Sequence, residues 1–185
     1  MKTLIEIQEE QHAWSLKNFG PHGMQDPADG IVEEVGELHH AVLKARQGIR
    51  GTPEELEKKE KDALADIVIY VLDLISVAGY KADQDKLGKQ VNMLLNNLNA
   101  VTGFKPSPLN IEVALTYLRT QMVNHASMVA VRVFDERPGP VFSACESLVA
   151  TLILYAQLKG WDLLQILNET WEQVSQRDWT KKEGT

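Results

Sequence analysis

Cysteine is almost missing from this chain: Cys145 stands alone in 185 residues. An internal disulfide framework is therefore excluded, and a reducing compartment is expected. Positive charge is also short. Lys and Arg number 19 against 26 Asp and Glu, a net charge of -7 with a pI near 5.2, which argues against non-specific binding to nucleic acid or to an anionic membrane. A phosphate ligand can still approach such a chain if metal ions mediate. No apolar run nears the roughly 18 residues needed to span a bilayer; 67–75 and 148–155 read as buried helices. The opening MKTLIEIQEEQH turns acidic before an apolar run reaches signal-peptide length, so a cytoplasmic protein is expected. Strand-like alternation is absent as well. Every periodic segment has the helical period, so the expected fold class is all-α with four-helix-bundle packing.

Hydrophobic content of 44% with 24% charged residues suits a folded chain, and turn signals divide it. A first helix is expected over 4–18, ended by Phe19-Gly20-Pro21. Asp26-Pro27 supplies an N-cap and a first-turn proline for a second helix to about 47. Thr52-Pro53-Glu54-Glu55 has the spacing of a capping box and opens a third, stopped by Gly79. A fourth covers 83–100. The run 102–108, TGFKPSP, is the clearest linker. Helices over 109–134, 142–159 and 162–178 follow, the first two separated by Arg137-Pro138-Gly139-Pro140. The linker separates halves 1–102 and 109–179, with a tail at 180–185. With an offset of 81, Ala78-Gly79-Tyr80 falls on Lys159-Gly160-Trp161, Asp66 on Ser147 and Ala63 on Ala144. The second helix would match 122–133, where His125 and Met128 occupy the places of acids. A tandem duplication whose second copy has lost its acids is expected.

Those acids carry the chemistry. Ile31, Val35, Leu38 and Val42 form the core-facing stripe of the second helix. Glu34 and Glu37 lie along its edge, about 60° and 120° round from it, with Glu33 further out. Like charges at these spacings repel, and a divalent cation would reverse the sign of that cost. The third helix is apolar round most of its circumference, yet Asp62, Asp66 and Asp73 fall on one line. Asp62 and Asp66 are expected to face the glutamates in an antiparallel hairpin, while Asp73 reads as a solvated aspartate. All-oxygen donors favour Mg²⁺ or Mn²⁺.

Here the chain resembles a known family. EEVGE at 33–37, followed by KDALADIVIYVLDL at 61–74, is similar to the EExxE and ExxD motifs of the MazG-like all-α nucleoside triphosphate pyrophosphohydrolases; ETWEQVSQRDW at 169–179 and QHAWSLKNFG at 11–20 resemble the ends of single-domain members. The resemblance implies Mg²⁺ held by the acids and hydrolysis of a nucleoside triphosphate to monophosphate and pyrophosphate. It makes 1–102 the repeat with the metal site and 109–179 a degenerate repeat. It further implies a homo-oligomer with sites between packed units. By position Glu33, Glu34 and Glu37 match EExxE and Asp66 the last acid. Ala63 stands where the family has glutamate, and Asp62 beside it is expected to substitute, giving a metal set of Glu34, Glu37, Asp62 and Asp66.

The residues fit this chemistry in their own right. Glu33 or Glu34 can act as general base on a metal-activated water. Lys44, Arg46, Arg50, Lys61 and Arg177 are candidate phosphate contacts, and Trp14 a candidate base contact; Phe19 is assigned to the core. A rival from another class is a non-catalytic helical binding or assembly protein with a structural metal. A third, a di-iron carboxylate bundle, rests on Glu37-x-x-His40 and Glu9-x-x-His12.

Overall fold

The computed structural model describes residues 1–102, 108–134 and 138–180. It is all-α, in the order α1 (Leu4–Phe19), α2 (Gln25–Gln47), α3 (Pro53–Val77), α4 (Gln84–Thr102), α5 (Pro108–Phe134), α6 (Pro138–Leu158) and α7 (Leu163–Val174). Most of the expected linker, 103–107, and tail residues 181–185 lie outside the described residues.

Side chains write several of the helix starts. Thr3 with Glu6 and Thr52 with Glu55 form reciprocal capping boxes on α1 and α3, satisfying backbone N–H groups that have no partner within the helix. Asp162 accepts from the amides of Leu164 and Gln165 at 2.9 and 3.1 Å and caps α7. Three boundaries differ most from expectation. Helix α2 begins at Gln25 after Met24, with no side-chain cap, and Asp26 lies inside its first turn. Helix α6 begins at Pro138, so Pro138-Gly139-Pro140 of the expected break forms its first turn, while Arg137 lies outside the described residues. The first turn needs no intrahelical N–H donors, which is why prolines fit there. Helix α7 stops at Val174, four residues earlier than expected.

The longer α6 also corrects the reading of apolar length. Pro138–Leu158 is long and apolar enough to cross a membrane by composition, but 67% of its apolar stretch is buried inside the protein. Ala144, Leu148, Leu152 and Tyr155 are nearly inaccessible, which makes α6 a core helix.

The pairing of helices is regular. Helix α2 packs along α3 and α5 along α6; α7 then packs on α3, while α4 packs on α6. Each half thus lends its last helix to the apolar helix of the other, and buried residues from both halves form one continuous core. The ends of α3 and α6 share one geometry at the offset of 81. Tyr80 N donates to Ile75 O and Trp161 N to Ala156 O, both at 2.8 Å, and Gly79 N to Ser76 O and Gly160 N to Gln157 O, both at 3.0 Å. Gly79 and Gly160 hold φ of 81° and 75°, left-handed values that side chains rarely tolerate.

A buried polar network ties three helices together. Tyr155 on α6 donates to Glu60 of α3 at 2.6 Å, Lys159 donates to the same carboxylate at 3.2 Å, and Arg119 of α5 donates to the Tyr155 oxygen at 3.3 Å. Burial and the Glu60 carboxylate push the Tyr155 phenol far up, so it remains a donor.

Candidate functional site

The site is set by how closely α2 can lie on α3. Gly30 is buried beneath the Tyr70 ring, and a Cβ there would meet Tyr70 Cε1 at 2.5 Å. Only glycine lets the helices approach at this level. One turn further along α2, in the opposite chain sense along α3, Glu34 faces Asp66, the register of an antiparallel hairpin.

Electrostatics gather the acids into one group. Glu34 is half-buried, and its carboxyl is pushed up from 4.5 to about 8, first by burial and then by Asp66, Glu37 and Glu33. Asp66 is raised from 3.8 to about 6, again mainly by burial, with Asp62 and Glu37 adding to the rise and Arg177 and Lys58 opposing it. Glu34 thus feels Asp66, Glu37 and Glu33, and Asp66 feels Asp62 and Glu37. Glu33 and Glu37 are exposed at the rim. Among the described residues, no three His, Cys, Asp or Glu side chains stand in metal-holding geometry; the carboxylates are neighbours that repel rather than a converged cage. The two part-buried carboxyls, Glu34 and Asp66, are oxygen donors of the kind a hard cation takes, and burial more than their neighbours raises both.

Ala63 is buried at 2% exposure, inside the core. Asp62 is 42% exposed on its side chain and receives a hydrogen bond from Lys58 at 2.6 Å.

The expected cations divide. The charge of Arg177 favours ionisation of Asp66 through space. Its position is set from α1, because Trp14 Nε1 donates to the Arg177 carbonyl at 3.0 Å. The Trp14 ring meets Trp171 and Phe19 edge-on, with centroids 5.9 and 5.6 Å away. Phe19 is 60% exposed, so it belongs to this aromatic corner rather than to the core. Lys61 turns elsewhere, bonded to Glu57 at 2.6 Å and lying 4.8 Å from the Trp161 ring centroid. Lys44 donates to Gln47 in the last turn of α2, where Arg46 and Arg50 are exposed nearby. Of the histidines in the di-iron reading, His40 is exposed and His12 is half-buried.

Two participants escaped the sequence reading. Lys58 is one, legible in retrospect as the i,i+4 partner of Asp62. Tyr70 is the other, one turn beyond Asp66 on the aspartate line; burial and then Glu34, Glu33, Asp66 and Asp73 push its phenol up. Asp73 itself is a correction. It is buried at 6% exposure rather than solvated, because α1 and the turn after it cover this end of α3. His22 Nε2 lies 2.9 Å from Asp73 Oδ2, Ser15 donates to the same oxygen at 3.2 Å, and His22 Nδ1 lies 2.9 Å from Gly20 O. Burial works against charge on His22, but the Gly20 and Asp73 acceptors outweigh it and raise its pKa. Ser15 and Asp73 share one ring nitrogen, so this is a clamp on the turn and not a relay that would activate the serine.

A groove of about 650 Å³ lies away from the acids, between α4 and α7. Val68 and Val149, equivalent at the offset of 81, lie along it, with Leu87, Val91, Leu164 and Leu167. It is apolar, and none of the expected site residues lines it.

No protein-family model, no curated protein and no solved structure matches the chain.

Proposed function

We propose that the protein is a divalent-cation-dependent hydrolase that cleaves a (deoxy)nucleoside triphosphate to the monophosphate and pyrophosphate. The observation that carries this is Glu34: it is half-buried against Asp66 and Glu37, and burial and every neighbouring charge acting on it raise its pKa. Such a group has no structural benefit without a cation. Glu34, Glu37, Asp62 and Asp66 would hold Mg²⁺ or Mn²⁺, which, when bound, neutralises phosphate charge and lowers the pKa of a bound water. Glu33, exposed beside them, accepts the proton from that water, with Glu34 as the alternative base. Arg177 and Lys58 attract the phosphates from the rim. Tyr70 can donate its proton to a substrate oxygen, since its raised pKa keeps the phenol neutral.

Tandem duplication belongs to the same proposal. It is supported by the matched ends of α3 and α6, by the exchanged packing of α4 and α7, and by the agreement of buried stripes: Ile31, Val35, Leu38 and Val42 against Met122, Ala126, Val129 and Val133. The second copy, with His125, Met128 and Ser147 at the acid positions, would wall the site within the same chain and leave one metal-binding site per chain.

Incubation with a panel of nucleotides and Mg²⁺, reading pyrophosphate, tests the activity. Release is expected, and Glu37→Ala and Asp66→Ala should lower it at least ~100-fold, the scale of losing a metal ligand or its support. No release from any nucleotide ends the enzyme reading. Release unchanged in both variants shows that other residues act. One observation favours the rival, a non-catalytic protein with a structural metal: Asp62 is already engaged by Lys58 and Ala63 is buried. That rival predicts cation-dependent stability without pyrophosphate release.

A further inference from the structure

Helix α6 buries a carboxylate where packing has no use for one. Glu146 is 5% exposed, and both of its oxygens are enclosed without a hydrogen-bond partner. Its counter-charge comes from the surface. The Lys86 ammonium of α4 lies 2.6 Å from Glu146 Oε2, placed as an ion pair but not as a hydrogen bond, while the lysine side chain stays 46% exposed. At the offset of 81 the corresponding residue is Ala65, fully buried on α3, so a methyl group satisfies the packing at that level. Enclosing a carboxylate is costly unless its charge is used.

This carboxylate borders the groove between α4 and α7. Leu4, Val68, Leu87 and Val149 line both that groove, about 650 Å³ in volume, and a smaller apolar cavity of about 20 Å³ whose wall includes Asp83, Phe142 and Glu146. The groove has the volume and the apolar lining of a small-molecule site. Charge along the two is of one sign: Asp83 and Glu146 line the cavity, Asp162 lines the groove, and no Lys or Arg lines either. Lys61 and Lys159 lie over the ring of Trp161, which lines the groove, but are already paired with Glu57 and Glu60. Lys86 marks what the spot beside Glu146 accepts. Its ammonium also lies 4.9 Å from the Phe142 ring centroid, and Phe142 stacks on Tyr80 at 4.6 Å, an aromatic face that attracts ammonium ions.

We infer that the groove binds a hydrophobic primary amine, its apolar body lying between α4 and α7 and its ammonium replacing that of Lys86 against Glu146 and the Phe142 ring. Charge selects this occupant. A carboxylate on the same chain would meet only acids along the lining, and a neutral chain would leave Lys86 in place and draw nothing from Glu146. Lys86 is long and half-exposed, so it can swing into water while the ligand's ammonium takes over the buried charge. The inference does not rest on the proposed activity.

Calorimetric titration of the full chain with n-octylamine provides the test, with octanol and octanoate as chains of equal length and ethylamine as the charge without the body. Octylamine should bind at one site per chain, and ethylamine at least ~100-fold more weakly. Octanol and octanoate should bind at least ~10-fold more weakly than octylamine. Glu146→Gln should lower octylamine affinity at least ~10-fold. Lys86→Ala removes the competing ammonium and should raise that affinity roughly 3–10-fold, since the site is then always uncovered. Circular dichroism checks that each variant keeps its helices. Octylamine that binds neither the wild type nor Lys86→Ala overturns the inference. So does octanol or octanoate binding as tightly as octylamine, affinity unchanged in a folded Glu146→Gln, or affinity lowered in Lys86→Ala.

Discussion

Replacing Glu34 by glutamine keeps the shape of the side chain and removes its charge, and stability against pH then reports whether the acids repel. In the folded protein Glu34 holds its proton up to about pH 8 where the usual carboxyl releases it near 4.5. The folded state therefore binds more protons than the unfolded one across that window. Stability must fall as pH rises through it, and the penalty is complete above about 8. At ~1.4 kcal/mol per pK unit, the ceiling for Glu34 alone is near 5 kcal/mol. Asp66, raised to about 6, shares the repulsion, so neutralising either relieves both, and a gain of roughly 2–3 kcal/mol is expected for Glu34→Gln at high pH. That corresponds to about 5–10 °C in a chain of this size. Thermal melts in chelator at about pH 5 and about pH 8.5 should show the variant's advantage growing with pH. Added Mg²⁺ should raise the wild-type melting temperature more than that of the variant. An advantage that is equal at both pH values, or absent, would refute the placement of Glu34 against Asp66.

Gly30→Ala and Gly36→Ala sit less than two turns apart on one helix and should act in opposite directions. The first forces a Cβ into the Tyr70 ring and should lose roughly 1–3 kcal/mol in urea unfolding; the second meets nothing within 4 Å and should gain ~0.5–1 kcal/mol from helix propensity. For the clamp, an NMR titration should place the His22 pKa above 6.5 in the wild type and lower it in Asp73→Asn. Because the folded pKa is raised, the stability His22 contributes is full below about 6.5 and lost as pH climbs through the folded value, so Asp73→Asn should cost most on the acidic side.

Features carried by neighbours in the chain were legible from residues alone. The Thr52–Glu55 capping box, the glycines that end α3 and α6, and the apolar stripe of α2 each depend on contacts within a few residues, where spacing dictates geometry. The acid group was legible for a related reason: Glu33, Glu34 and Glu37 share one edge of a helix, and a short connection obliges the next helix to pack beside it.

What residue spacing could not supply was anything decided by a third helix. Asp73 lies on the same line as Asp62 and Asp66, yet α1 and the turn at His22 bury it, while Asp62 stays half-exposed beside Lys58. Arg177, whose backbone carbonyl accepts from Trp14, distant in sequence, lies where its charge acts on Asp66. Tyr70 and Gly30 define each other only when α2 lies on α3. The length of α6 was underestimated because two prolines read as a break until they stand in a first turn. Local pattern determined which segments are helices and where carboxylates concentrate, since both follow from periodicity along one chain. Tertiary packing decided which of those carboxylates are desolvated, because burial depends on the surfaces that other helices bring.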